Sequence, residues 1–360
     1  MLSLTRTDPL RIFYVNTLAM GTFARQQQGD LEQSILSFTE ALLLYLPHTR
    51  DTPSSFLNIV HTFYHLAVGV FMRFKESSRP EDVKCCIRFF YYLHEQWHEV
   101  SMKFPFPVST ALIHALAVQV ELELGDVDED IEEMADLCDE LLNSDISIQS
   151  LDHPIAAFAR TIGLHFKSHF EWKNCSEKVT DCLRKAIVRL PSLHLLFMAL
   201  ARSLYNRFVV APSDDYYKEG MVILDTILMF RGCGDAPSPF REEALGWAAV
   251  FADARFVAYG KPEHLEHAIY RFRTALDGTS IEGPDHAKVI GRLSSLEGLR
   301  LDGTANTQHA LSIHSEFAKP PSFRDPDGLS PRGDGCQAKF DEDTREPHLR
   351  TSSFLCQTTY

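Results

Sequence analysis

The stretch RPEDVKCCIRFFYYL, Arg79 to Leu93, decides how the chain is read. With Val83 as an origin p, the residues at p, p+3, p+4, p+7 and p+11 are Val83, Cys86, Ile87, Phe90 and His94. Steps of three and four place them on one face of a helix. Pro80 suits the first turn of that helix, where a missing N–H does no harm, and Glu81 and Asp82 complement its dipole. The adjacent Cys85 and Cys86 then have two readings: a reactive thiol site, or residues that fill space inside a helix.

The same template recurs five more times. Upstream it reads Leu31, Ser34, Ile35, Phe38, Leu42; downstream it reads Ile131, Met134, Ala135, Cys138, Leu142 and then Val179, Cys182, Leu183, Ala186, Leu190. The last copies are Tyr217, Gly220, Met221, Leu224, Leu228 and Leu265, Ala268, Ile269, Phe272, Leu276. The origins lie 52, 48, 48, 38 and 48 residues apart, and only Ser34 and His94 are conspicuously polar. A second feature keeps this register. Phe74, Leu122, Phe170, Phe208 and Phe256 stand nine residues before the origin in the last five copies, and Phe23 stands eight before it in the first. That offset fits a helix, a turn of about six residues and a second helix returning antiparallel. The turns SRPED (78–82), APSDD (211–215) and GKPEH (260–264) carry suitable chemistry. Position p+3 holds Ser34, Cys86, Met134, Cys182, Gly220 and Ala268, five of the six small, which lets two helices approach closely. Cys86 is therefore expected to be buried and slow to react. Phe74, Phe170, Phe208 and Phe256 are expected to pack the hairpins.

The phrases LEQSILSFTEALLLYLP, HLEHAIYRFRTAL and LARSLYNRF resemble tetratricopeptide (TPR) repeats. The returning helix of that family carries a small residue followed by Ile, then an aromatic, then Ala-Leu. Here those places fall on Ser34, Ile35, Phe38, Ala41 and Leu42, and on Ala268, Ile269, Phe272, Ala275 and Leu276. The spacing is nearer 48 than the family's 34 residues, and the first helix lacks the usual Trp and Gly signature. RPEDVKCCIRFFYYL, AVQVELELGDVDEDIEEMADLCDELLNSDIS and GKPEHLEHAIYRFRTALDGTSIEGPDHA resemble, more narrowly, the TPR-like arrays of mushroom-type fungi. Such an array often precedes a caspase-like CHAT domain, so the resemblance implies either an interaction scaffold or the sensor array of a protease system whose catalytic domain is missing or separate.

The expected fold is all-α: an α-solenoid of about six helical hairpins plus a capping helix. The pairs are expected near 12–46, 55–96, 107–144, 152–190, 192–230 and 238–278, with the cap near 284–300. The array would span 12–301, and the polar, proline-bearing segment 302–360 is expected to be disordered.

Composition bounds the setting. The chain has 360 residues, 45% of them hydrophobic, which suits a continuous core. Eight cysteines without paired spacing, and an opening segment without an unbroken apolar run, predict a reducing, cytoplasmic location. The apolar windows VSTALIHALAVQV and LHLLFMAL stop short of the roughly 20 residues that cross a bilayer, so no membrane partner is expected. The net charge of −14 is uneven: thirteen acids and no Lys or Arg lie between Glu121 and Asp152. From Arg160 to Val210 nine basic residues face three acids. That alternation does not suit nucleic acid, whose binders present a contiguous basic face. It suits a protein partner of mixed charge, or plain solvated helix faces.

The search for chemistry finds no catalytic constellation. None of the sixteen histidines precedes Gly as a caspase-like centre would require, and Cys336 in RGDGCQAKF follows no strand. The pairs His61/His65, His94/His98 and His165/His169 each put two possible ligands on one helix face, without a third. Asp126, Asp128 and Asp130 have calcium-loop spacing, but Ile131 stands where Gly is needed and Leu137 where the bidentate acid belongs. No metal and no cofactor is expected. The candidate binding residues are Arg73, Arg207 and Arg255, all at p−10, together with Asn206 beside Arg207. They would form a basic ladder that grips acidic segments of a protein or peptide partner. The alternative is that each arginine caps its own helix C-terminus.

Overall fold

The computed structural model describes residues 9–25, 27, 29–45, 53–99, 106–145, 147–168, 176–230, 240–278 and 284–301. Among them every regular element is an α-helix, thirteen in all. The pairs are α1 (Pro9–Arg25) with α2 (Asp30–Tyr45), α3 (Pro53–Ser77) with α4 (Pro80–Glu99), and α5 (Phe106–Glu121) with α6 (Val127–Asn143). Then follow α7 (Ile148–Ser168) with α8 (Glu177–Arg189), α9 (His194–Val210) with α10 (Asp214–Met229), α11 (Arg241–Tyr259) with α12 (Pro262–Gly278), and α13 (Pro284–Leu301). The helices fall where the expected pairs and the final helix were placed. The segment 302–360 lies outside the described residues, as does Phe170.

The chain divides into two compact units, one reaching Val108 and the other running from Ser109. In the first unit α1 packs on α2, α2 on α3 and α3 on α4. In the second, the first helices of successive hairpins touch (α7 on α9, α9 on α11), and so do the second helices α6 and α8. α12 packs on α11 and α13 on α12. Contacts confined to near neighbours in sequence are the stacking of an α-solenoid.

Local signals fix the ends of these helices. The Asp126 carboxylate accepts from the N–H groups of Asp128 and Glu129, Ser176 accepts from Val179, and Ser213 from Asp215, each satisfying first-turn donors. Gly260, with φ 63°, ends α11 through a bond from its N–H to the Phe256 carbonyl at 2.7 Å. Ser78 does the same for α3, at φ 54° and 2.6 Å from the Phe74 carbonyl. Both occupy p−5, a left-handed position that glycine adopts more easily than serine.

The template defines the core. Of its thirty positions only Leu31, His94, Leu228 and Leu276 are half-buried; the rest are buried. Phe38, Phe90 and Cys86 are fully enclosed. Each such aromatic or aliphatic side chain contributes about 1.5–3 kcal/mol by leaving water. The p−9 feature holds less evenly. Phe208 and Phe256 are buried and Phe74 is half-buried against Phe71, but Leu122 is 45% exposed because it falls in the turn after α5. At the far end Leu245, Phe256, Ile269 and Phe272 share one cluster with Val289, Leu296 and Leu299 of α13, which therefore caps the second unit.

The small residue at p+3 is a requirement of packing. A Cβ on Gly220 would lie 2.1 Å from Cε1 of Phe251. That ring cannot easily yield, because Tyr205, Phe208 and Tyr217 each meet it edge-on with centroids 5.4 Å away. Gly220→Ala should therefore destabilise the second unit by about 1–3 kcal/mol in denaturant titration, despite a helix-propensity gain of about 1 kcal/mol. Phe251→Leu in the same chain should recover part of the loss, and a stabilised Gly220→Ala chain would contradict the packing account.

Candidate functional site

The structure answers the cysteine question first. Cys86 is fully enclosed, its thiol donates to the Val83 carbonyl at 3.1 Å, and burial pushes it up to about 12. Cys85 is half-buried and also raised by burial. Neither is an activated thiolate, which needs a lowered value. Ser34, Cys182, Gly220 and Ala268 are buried at the same p+3 place.

The three p−10 arginines behave alike in being paired with acids of the array, and Arg207 also lies in the last turn of its own helix. Each reaches back to an acid at the start of the returning helix of the preceding hairpin. Arg73 bonds Glu32 at 3.2 Å and grips Asp82 of its own hairpin with two bonds of 3.0 and 2.7 Å. The bond to Asp82 raises the guanidinium further above its already high ordinary value. Arg207 pairs with Glu177 and donates to the Tyr216 hydroxyl at 2.8 Å, its guanidinium 5.0 Å from that ring's centre. Arg255 pairs with Asp214 at 2.8 Å and lies 4.3 Å over the Tyr217 ring. An arginine fork against acids that already sit at a helix N-terminus is a stitch between repeats.

The segregated charges of the sequence also meet each other. Lys178 and Lys185 of α8 reach Asp136 and Asp139 of the acidic helix α6, the second pair at 2.6 Å. Arg184 continues the seam to Glu219 of α10 with two bonds of 2.8 Å. Arg271 of α12 grips Asp225 of α10 at 2.8 and 3.1 Å.

A second pattern escaped the sequence reading. Asp30, Asp82 and Asp130 all stand at p−1, all buried, and each is bonded from the helix before it: by Arg25, Arg73 and Gln119. The recurring acid just ahead of Leu31, Val83 and Ile131 was the available signal, broken afterwards by Lys178, Tyr216 and His264. Asp130 and Asp126, two members of the calcium-like run, are thereby occupied in a half-buried bond from Gln119 and an N-cap. No group of three or more His, Cys, Asp or Glu able to hold a metal occurs among the described residues. His65 is packed instead against Phe38, with ring centres 5.8 Å apart.

One of the stitches is also a cleft. Ser176, Glu177, Asn206, Arg207, Val210, Ala211 and Tyr216 line a space of about 240 Å³ where α8, α9 and α10 meet. Asn206 is buried in its floor, while Val210 is 56% exposed at its lip. The Nε of Arg207 is buried with no hydrogen-bond partner among the described residues. The Glu177 side chain that faces the guanidinium is 51% exposed. The site therefore combines a sheltered cation, an aromatic hydroxyl and a half-exposed carboxylate that Arg184 also reaches, at 3.4 Å. A larger groove of about 390 Å³ runs along α1, but Tyr14, Thr17, Leu18, Gly21, Thr22 and Arg25 line it from that helix alone.

No family model matches the chain, and no curated protein is significantly similar to it. Among the described residues no helix is long and apolar enough to cross a membrane.

Proposed function

We propose that the chain is a non-enzymatic protein-interaction module, a TPR-like array whose α8–α10 cleft takes an acidic side chain from a peptide or helical partner. The single observation that carries this reading is Arg207: a largely sheltered guanidinium whose carboxylate partner, Glu177, is half exposed and replaceable. A partner carboxylate would exchange with Glu177 at little electrostatic cost, since a half-exposed ion pair is worth no more than about 1 kcal/mol. Affinity then comes from what surrounds the exchange. Val210 and Ala211 offer apolar surface, and the volume admits one side chain of the partner. The resemblance of Ser34 to Leu42 and of Ala268 to Leu276 to TPR repeats supports the same class of function, because stacked hairpins present extended surfaces to peptides. A cytoplasmic setting is in keeping with Cys85, Cys86, Cys138 and Cys182, which are all free thiols.

Panning a displayed library of unstructured peptides against the whole chain tests the proposal. The selected peptides should share an acidic residue flanked by apolar ones, and Arg207→Gln should weaken them about tenfold or more. A selected set without acidic preference, or one indifferent to Arg207→Gln, overturns it.

A further inference from the structure

Where α10, α11 and α12 meet, three side chains form a chain of hydrogen bonds that only one protonation state can satisfy. The Tyr217 hydroxyl lies 2.8 Å from Nδ1 of His267. The other ring nitrogen, Nε2, accepts from Nε of Arg271 at 3.3 Å. A guanidinium has protons to give and no lone pair to offer, so Nε2 must be bare. His267 is then neutral, with its proton on Nδ1 donated to the Tyr217 oxygen. Arg271 in turn holds both oxygens of Asp225 on α10. One imidazole thus bonds the Tyr217 hydroxyl of α10 and the same arginine that holds Asp225.

The charges facing this ring leave no place for another proton. From α10 comes Asp225; from α11 comes Arg255, itself bonded to Asp214; from α12 come Arg271 and His264. Asp225 is already bonded to Arg271 and Asp214 to Arg255. Of the described charges of α13, Arg292 pairs with Asp253, Glu297 with Arg273 and Arg300 with Glu266. An added proton would sit on Nε2, directly opposite the N–H of Arg271, and would put a third cation beside two guanidinium groups whose acids are engaged.

We propose that this joint is an acid-sensitive latch: neutral His267 ties α10 to α12, and its protonation releases Arg271 from the ring and loosens the seam between the two hairpins. Burial, then Arg271 and Arg255, hold the imidazole below its ordinary value. Release therefore comes below about pH 6.5, in mildly acid solution.

Hydrogen exchange on the whole chain at about pH 7.5 and about pH 5, corrected for the intrinsic pH effect, reads the latch directly. Peptides from α10 and α12 should lose about tenfold or more of their protection in the parent chain, and His267→Gln should abolish that pH dependence. The same loss in His267→Gln, or none in the parent, overturns the proposal. A measurement that needs no variant stands beside it. In an NMR titration of the parent chain the His267 ring should titrate below about 6.5, with the Arg271 Nε–H signal moving at the same midpoint. A higher midpoint, or an Arg271 signal that does not follow, refutes the latch.

Discussion

Asp253→Ala should open the end of the second unit by about 3–5 kcal/mol, raising hydrogen exchange in α11 and α13 by roughly two to four orders of magnitude. The reason is an ion pair taken almost wholly out of water. Arg292 of α13 donates to both oxygens of Asp253 on α11 at 2.8 and 2.6 Å, and the two side chains are 2% and 4% exposed. Removing the carboxylate leaves a buried guanidinium without its counter-charge. Keeping both charges is costly too, and Nη1 of Arg292 has no hydrogen-bond partner among the described residues. Asp253→Leu with Arg292→Met should therefore come within about 1 kcal/mol of the parent chain or exceed it, because desolvation of the pair is no longer required. A double variant as unstable as Asp253→Ala would mean that packing, not charge, holds the cap.

The second large effect is a loss of stability in acid, located in the first unit. His65 is buried between Phe38 of α2 and Phe23 of α1, with Tyr64 and His61 beside it on α3. Burial first, and His61 second, depress it to about 4. A folded value below the unfolded one means that the native state binds the proton less readily than the unfolded chain. The stability is complete above the unfolded value of about 6.5 and is lost as pH falls toward 4. Across that window the linkage amounts to about 3 kcal/mol. His65→Leu should flatten the acid limb of hydrogen exchange in α1 to α4 by that amount. An unchanged acid limb would place the acid sensitivity elsewhere.

What was legible in the sequence was periodic. Val83, Cys86, Ile87 and Phe90 announced a buried helix face, and the same spacing elsewhere placed the second helix of each hairpin. Side-chain size at p+3 also spoke plainly, because a glycine such as Gly220 admits a ring where no other residue would. Partners did not show. Arg292 sits in GRLSSLEGLR, a segment that reads as a cap with an apolar and a soluble side, and charge is assigned to solvent by default. Only Asp253, 39 residues earlier, explains its burial. The arginines at p−10 were found by register, but their acids lie on the preceding hairpin, at offsets that vary from copy to copy: Glu32 follows its origin while Glu177 and Asp214 precede theirs. Two roles were open to them, a ladder gripping acidic segments of a partner or caps on their own helix C-termini. The structure shows these arginines paired with those acids, and in the proposed function the half-exposed pair at Arg207 undergoes exchange with a partner's acid.

That exchange is the central claim, and Glu177→Gln tests it most directly. In this reading Glu177 competes with the partner's carboxylate for Arg207, so its removal should tighten binding of a selected acidic peptide about two- to fivefold, the worth of a half-exposed ion pair; Arg184, which also reaches Glu177 at 3.4 Å, keeps Asp181 and Glu219. An affinity that is unchanged or weaker in the full-length Glu177→Gln chain, with the fold intact by hydrogen exchange, would contradict it.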